Sequence, residues 1–319
     1  MDALIYSLNA TVPIFVIIVI GFYLRRKGVI NEGFISAANK INFKLALPCM
    51  LIIDMMNIDL ETDFDGRYIL YCAIVTSISF WVIWGLAKLF IKDKKIIGAF
   101  VQGSFRSSAA VLGTALIVNI YGNSSMAPFM MIGSVPLYNI YSVIVLTFEA
   151  DTKQEKTIGK AIKGIFTNPI ILSIAAGLVL AYFHIEFPVM LDSTISTLGR
   201  MTTPLALLAI GAGFNGNEAI KKIKPALVAS CLKLVIIPLI FLPLAINMGF
   251  RDEKLIALLI MLGAPTTPSC YIMAKNMDND ADLTTSIVVL TTALSAFTIT
   301  AMLFVLRYYG LVAAAKAGL

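Results

Sequence analysis

The sequence has few charged residues and a single histidine. Charged residues make up 14% of its 319 residues, whereas a soluble domain carries about 25%. Hydrophobic residues reach 59%, and the longest polar run, around residues 149–163, has the length of a loop. This composition leaves no stretch for a soluble domain, and it predicts an all-α, polytopic membrane protein.

The scarcity of histidine and cysteine argues against a metal site. His184 lies in a predicted loop, and one histidine without a partner does not make a zinc site. The four cysteines fall inside apolar segments without metal-ligand spacing, so we interpret them as small buried hydrophobic residues. No Walker-type phosphate loop is present. We expect no cofactor, and membrane topology explains the net charge of +6 better than nucleic-acid binding does.

Ten apolar segments approach the roughly 20 residues that a membrane-spanning helix needs. The first is not a signal peptide, because Arg25, Arg26 and Lys27 follow it and no basic residue precedes it. We number the segments 1 to 10 along the chain. They lie at 9–24, 37–56, 68–88, 96–119, 127–148, 167–183, 192–213, 225–247, 254–274 and 284–308.

The distribution of basic residues predicts the orientation in the membrane. If the amino terminus lies outside, most of the 25 lysines and arginines fall on the inner side, as the positive-inside rule requires. Both termini then lie on the outer side of the cytoplasmic membrane, and the loop at 149–166 lies in the cytoplasm. The acidic stretch from Asp59 to Asp65 lies outside.

Two halves of the chain share residues at one constant offset, since Pro169 lies 156 positions after Pro13. We expect a first repeat at 1–150, a connecting loop at 151–166 and a second repeat at 167–319; coincidence is the alternative. Because each repeat holds five segments, the second is inverted, as is usual in secondary transporters. The matched pairs are Pro13 with Pro169, Gly21 with Gly177, Lys44 with Arg200, and Pro48 with Pro204.

Segment 9 contains two prolines three residues apart, Pro265 and Pro268, after Gly263. Each proline removes a backbone donor and clashes with a preceding carbonyl, so an uninterrupted helix is not expected. N–H groups at the start of a half-helix suit an anion, and hydroxyl groups are close by. The alternative is a simple proline kink. The candidate binding residues are Pro265, Thr266, Thr267, Pro268 and Ser269.

Segment 4 is the counterpart of segment 9 and carries Arg106. Ten residues from the inner side at 1.5 Å each place this arginine about 15 Å deep, near the midplane. An intramembrane arginine marks a pathway by default, and a guanidinium suits a carboxylate. A structural salt bridge or a clamp on backbone carbonyls is the alternative. Asn139 in segment 5 either lines a cavity or joins helices by hydrogen bonds. The candidates here are Arg106, Ser107, Ser108, Gly113 and Asn139.

Two further ionisable residues lie inside segments. Lys233 in segment 8 is either a second cation or a side chain that reaches to the inner surface. Asp54 near the outer end of segment 2 is either a site for coupling H⁺ or Na⁺ or an interfacial carboxylate. We carry both residues as candidates for ion coupling.

The chain resembles the auxin efflux carrier family, whose bacterial members are often called malate or malonate permeases. The likeness runs from about residue 5 to 310 and rests on the order of its motifs. They are GFYLRRKGVI at 21–30, KLALPCMLI at 44–52, QGSFRSSAAVLGTAL at 102–116, VPLYNIYSV at 135–143, NPIILSIAAGL at 168–178, TPLALLAIGAGF at 203–214 and LGAPTTPSCYIMA at 262–274.

The resemblance implies a 5+5 inverted repeat with broken helices in segments 4 and 9 that cross at the substrate. It also implies a scaffold of segments 1, 2, 6 and 7, which often dimerises, and a mobile transport domain of segments 3–5 and 8–10 that works as an elevator. Two departures bear on the site. Thr114 follows Gly113 where the family commonly has proline, and Ser108 stands where it often has asparagine.

We therefore expect a secondary transporter of a small organic anion, such as malate or another mono- or dicarboxylate, or an auxin-like acid. A homodimer in the lipid bilayer is expected. The alternative is a Na⁺-coupled symporter of a bulkier amphipathic anion, similar to the bile-acid carriers. A channel or receptor is a weaker alternative, and an intramembrane enzyme is weaker still, because Asp54 has no partner and His184 lies in a loop.

Overall fold

The computed structural model describes residues 2–57, 65–108, 126–150, 163–164, 166–214 and 216–312. Within these ranges every regular element is a helix, and no strand occurs. Five helices in this part of the chain are long and apolar enough to cross a membrane: Gly66–Phe90, Phe129–Phe148, Val189–Gly213, Ile223–Asn247 and Ala281–Tyr308. The all-α class is therefore confirmed, and the number of ten spans stays a prediction.

The described part of each predicted segment forms one helix or two shorter ones. Segments 2 and 8 contain a single π-helical turn, and segment 9 is interrupted. The bounds are Asp2–Arg26 for segment 1, Glu32–Ile41, Asn42–Ala46 (π) and Leu47–Met56 for segment 2, Gly66–Phe90 for segment 3, Ile97–Phe105 for segment 4, Ala127–Phe148 for segment 5, Pro169–Tyr182 for segment 6, Val189–Arg200 and Thr202–Gly213 for segment 7, Ile223–Cys231, Leu232–Ile236 (π) and Ile237–Asn247 for segment 8, Asp252–Gly263 and Ser269–Asn276 for segment 9, and Ala281–Tyr308 for segment 10.

Capping residues at the surface define where several helices start. The Asp65 carboxylate accepts a hydrogen bond from the backbone N–H of Tyr68 at the start of segment 3. Asp280 does the same for Leu283 at the start of segment 10. Such caps satisfy N–H groups that have no partner inside the helix. They place the turns between helices at polar residues and leave the apolar runs intact.

Segment 9 is interrupted in the middle of the molecule, and the described part of segment 4 stops being helical beside it. The helix Asp252–Gly263 ends before Pro265, and a new helix begins at Ser269. In segment 4 the helix ends at Phe105, and Arg106 is already extended, with φ −74° and ψ 139°. The break predicted from the two prolines is present, and the described part of segment 4 stops being helical without any proline.

Glycines let two pairs of helices approach at backbone distance. A Cβ atom on Gly21 of segment 1 would lie 2.4 Å from the carbonyl oxygen of Leu208 in segment 7. A Cβ atom on Gly177 of segment 6 would lie 2.8 Å from the carbonyl oxygen of Ile52 in segment 2. Only glycine permits such contacts between helices. Segment 1 therefore packs on segment 7, and segment 2 packs on segment 6.

The interrupted segments lie at the centre and the long helices surround them. Every residue from Leu255 to Pro265 in segment 9 is buried, whereas Leu70, Ile74 and Ile78 in segment 3 are exposed. A broken backbone is tolerated at membrane depth only inside protein or beside a water-filled cavity.

The prediction that all four cysteines are buried was wrong. Cys231 is exposed and Cys49 is partly exposed, whereas Cys72 and Cys270 are buried.

Candidate functional site

The breaks in segments 4 and 9 are hydrogen-bonded directly to each other. The backbone N–H of Ser108 donates to the carbonyl of Pro265 over 2.9 Å. The hydroxyl of Thr266 donates to the carbonyl of Gly103 over 2.7 Å. Backbone groups that have no partner within their own helix thus find one in the other segment. The two extended stretches hold each other in place.

Arg106 is buried at this crossing, with 4% of its surface exposed. Its Nη2 atom donates to Asn139 Oδ1 over 2.7 Å and to Ser269 Oγ over 3.0 Å. Its Nη1 atom donates to Ser142 Oγ over 3.3 Å and to the sulfur of Met273. All four acceptors are neutral. None of the ion pairs between residues that the structure describes involves this arginine.

An unpaired buried cation is unfavourable, because desolvation penalises the charge and neutral acceptors compensate it only in part. The four contacts fix the guanidinium in one orientation and leave its charge available. An anion that reached it would gain a charge-assisted hydrogen bond in surroundings from which bulk water is largely excluded. Neither predicted alternative, a structural salt bridge or a clamp on backbone carbonyls, has support in the described part of the chain, because all four acceptors are neutral side chains.

A cavity of about 180 Å³ lies beside this arginine. Its polar lining comes from segments 2, 4, 5, 7 and 9. The lining residues are Met50, Leu51, Asp54, Arg106, Ser107, Ser108, Val135, Tyr138, Asn139, Thr203, Thr267 and Ser269. A second cavity of about 470 Å³ shares Met50, Asp54 and Thr203 with it and extends past Asn57, Asp192 and Arg200. Asp54 is therefore located where the two cavities meet.

The sequence-predicted site residues fall into three groups. Six of them line the smaller cavity with Asp54: Arg106, Ser107, Ser108, Asn139, Thr267 and Ser269. Pro265, Thr266 and Pro268 form the crossing itself, and the Thr266 hydroxyl is directed to segment 4 rather than to the cavity. Gly113 lies outside the described residues.

The backbone of the segment 9 break offers fewer donors than the sequence suggests. The N–H of Thr266 donates to Thr291 Oγ1. The N–H groups of Cys270 and Tyr271 donate to the carbonyls of Thr267 and Pro268. These three donors are engaged within the fold, so an anion would depend mainly on Arg106 and the hydroxyl groups around it.

Lys233 does not line either cavity. Its side chain is 1% exposed, and Nζ donates to the carbonyls of Leu262 at 2.8 Å and Met261 at 3.3 Å. It does not reach the inner surface, so the snorkelling alternative is wrong. The ammonium group lies at the carboxyl end of the first half-helix of segment 9.

Sequence reasoning missed Tyr138, Ser142 and Thr203. Ser142 is three residues after Asn139, and this spacing places both side chains on one helix face toward Arg106. That spacing could have identified it. Tyr138 and Thr203 carry no comparable signal. Among the residues that the structure describes, no group of three His, Cys, Asp or Glu side chains is close enough to hold a metal ion.

Comparison with known proteins places this architecture in a family. A family model described as membrane transport protein matches residues 6–303. The chain belongs to this membrane transport family. The match confirms the resemblance to the auxin efflux carrier family, and it identifies a multi-pass membrane transporter rather than an enzyme.

Three relatives illustrate how far the similarity of this transporter extends. "Uncharacterized transporter YfdV" of Escherichia coli is 22% identical over 86% of this chain and 90% of its own length. "Putative malonate transporter" of Rhizobium meliloti is 24% identical, covering 92% of this chain and 94% of its own length. An "Uncharacterized transporter" of Methanothermobacter thermautotrophicus is 20% identical over 91% of this chain and 95% of its own length.

Proposed function

We propose that this chain is a secondary transporter of a small organic anion, a mono- or dicarboxylate, across the cytoplasmic membrane. One observation carries the proposal: the buried guanidinium of Arg106 faces a cavity and has only neutral hydrogen-bond partners. A carboxylate matches the planar fork of a guanidinium. The hydroxyl groups of Thr267 and Ser269 line the cavity and can donate to the remaining carboxylate oxygens, whereas that of Ser107 already donates to the Ile260 carbonyl.

The size of the cavity favours a small anion over the bulkier amphipathic one. A cavity of about 150 Å³ holds benzene, which has six heavy atoms. The 180 Å³ beside Arg106 therefore suits an acid of about that size, whereas an amphipathic anion of bile-acid dimensions would have to extend past Asp54 into the second cavity. The name of the Rhizobium relative, "Putative malonate transporter", is in line with a short dicarboxylate.

The proposed architecture is an inverted repeat, and one pair of contacts supports it. Gly21 contacts Leu208, and Gly177 contacts Ile52. The offset that relates Gly21 to Gly177 also relates Ile52 to Leu208, since 52 and 208 differ by the same 156 positions. An inverted pair of repeats around one axis requires such reciprocal contacts. If the prolines and glycines of the two halves matched only by chance, such reciprocal contacts would not be expected.

The proposed transport cycle is an elevator-like alternating access. Segments 1, 2, 6 and 7 would form a dimeric scaffold, and segments 3–5 and 8–10 would carry Arg106 and the cavity past it. Asp54 belongs to the scaffold in this division, and it contributes to the cavity across the boundary. We keep Asp54 as the candidate for coupling to H⁺. Both termini would lie outside, and the loop at 149–166 would lie in the cytoplasm.

Uptake by purified protein in liposomes tests the function. We expect uptake of short radiolabelled carboxylates, malonate and malate among them, to exceed that of empty liposomes. Arg106→Ala should lower kcat/KM by about 30-fold or more, because losing one partner of a buried charge pair costs about 2 kcal/mol or more. Arg251→Gln is the matched control, since Arg251 is exposed. Uptake that is unchanged by Arg106→Ala would refute this role of the guanidinium.

A further inference from the structure

Lys233 enters the core through a local irregularity of segment 8. The α-helix Ile223–Cys231 gives way to the π-helical turn Leu232–Ile236 before the helix resumes. A π turn accommodates one extra residue and is frequent at functional sites. Lys233 and Leu234 are the buried residues of this turn. A lysine is almost never fully buried unless it is paired, so its partners define its role.

Those partners are backbone carbonyls at the end of a half-helix. Met261 and Leu262 belong to the last turn of Asp252–Gly263, where carbonyl groups have no intrahelical donor and carry partial negative charge. Lys233 Nζ donates to both. Tyr138 adds a donor to the Met261 carbonyl, over 3.1 Å. No ion pair between described residues includes Lys233.

Carbonyl groups at the carboxyl end of a broken helix are the ligands that secondary transporters offer to Na⁺. A lysine ammonium supplies the same single positive charge, and here it is tethered to a neighbouring helix. We propose that Lys233 is a built-in substitute for a coupling cation. The transporter therefore carries its anion without binding Na⁺ at the break in segment 9. This inference rests on the proposed function for its transport readout.

The position of Lys233 connects it to the cavity through a short path. The Met261 carbonyl accepts hydrogen bonds from both Lys233 and Tyr138, and Tyr138 lines the cavity beside Arg106. Loss of the ammonium group leaves the Leu262 carbonyl without this donor and loosens the end of the half-helix. The substrate cavity should then lose its shape, and uptake should fall.

The test compares three variants in liposomes and in detergent. Wild type and Lys233→Arg should take up malonate equally fast in NaCl and in choline chloride. Lys233→Met should be slower by about tenfold or more in both salts, because two buried carbonyls lose a charged donor. Lys233→Ala leaves a space at the carbonyls. Its uptake should be slow in choline chloride and should recover at least severalfold with Na⁺ or methylammonium, whereas tetramethylammonium, which is too large, should have no effect.

A second readout separates this inference from the proposed function. The thermal unfolding midpoint of purified Lys233→Ala should rise with Na⁺ or methylammonium over choline, and that of wild type should not. This result would support the role of Lys233 even if no organic anion were transported. The inference fails if wild type requires Na⁺, if folded Lys233→Met matches wild type, or if no small cation affects Lys233→Ala in either assay.

Discussion

Asn139→Asp should place a permanent competitor inside the proposed anion site. The amide oxygen of Asn139 already lies 2.7 Å from Nη2 of Arg106. Aspartate has nearly the same shape, so the substitution adds a negative charge at an existing contact. It also removes the hydrogen bond that the Asn139 amide nitrogen donates to the Val135 carbonyl over 2.9 Å. The new carboxylate would bind the guanidinium in place of the substrate. We expect a transporter that folds normally and binds its anion poorly.

The magnitude follows from the distance between the charges. Two unit charges about 4 Å apart interact by about 4 kcal/mol at an effective dielectric constant of about 20. An incoming carboxylate would have to displace that pair, and each 1.4 kcal/mol is a factor of ten in affinity. The largest effect expected from this interaction is a rise in KM of about a thousandfold. Because the cavity adjoins a second, larger one, hydration reduces this figure, and we expect at least about tenfold.

Initial rates of anion uptake into liposomes over a range of concentrations measure the effect. The matched control is Asn247→Asp, which adds the same charge at an exposed position at the end of segment 8. Thermal unfolding should show that Asn139→Asp still folds, because the ion pair with Arg106 offsets the lost hydrogen bond to the Val135 carbonyl. A wild-type KM for Asn139→Asp would refute the assignment of Arg106 as the anion anchor.

Two further predictions concern stability. Gly211→Ala should lower the free energy of unfolding by about 1–3 kcal/mol, because its Cβ atom would lie 1.9 Å from the Ile18 carbonyl. Gly85→Ala, where nothing lies within 4 Å, should instead stabilise by about 0.5–1 kcal/mol. Thermal unfolding in detergent compares the two, and equal shifts would contradict the packing of segment 1 on segment 7. The hydrogen bond from Lys254 lowers the pKa of Asp65 at the surface. This stabilisation should be full above the ordinary aspartate pKa and lost as pH falls through the lowered value. Lys254→Met should remove that part of the acid dependence, and an identical pH profile would count against it.

The general plan of the molecule could be predicted from local sequence signals. Apolar length indicated the membrane class, and Pro265 and Pro268 indicated the break in segment 9, because proline acts on the backbone directly. Burial of Arg106 followed from its depth alone. The donors around it could not be foreseen equally well. The N–H groups of Cys270 and Tyr271 are engaged by carbonyls of their own turn, which depends on how the chain closes after each proline.

Lys233 and Tyr138 show why the rest of the site could not be predicted from the sequence. Both act on the carbonyl of Met261 from other helices, and only tertiary packing brings segments 5 and 8 to the same atom. A lysine eight residues into an apolar run reads equally well as a snorkelling side chain. The π turn that directs Lys233 inward cannot be recognised from the amino-acid composition of the segment.

The two breaks have different physical origins, and this difference bears on mechanism. Segment 9 carries Pro265 and Pro268 at its break, and two prolines three residues apart disfavour a helix there in any conformation of the protein. Segment 4 has no proline in its described part, and its helix ends at Arg106, whose guanidinium binds Asn139 and Ser269. The adjacent N–H of Ser108 binds the Pro265 carbonyl. Tertiary contacts therefore hold this break open, and the residue that holds it is also the proposed anion anchor. Binding of a carboxylate to Arg106 would alter the contacts on which the shape of segment 4 depends, which gives the substrate a direct means of influencing the transport domain.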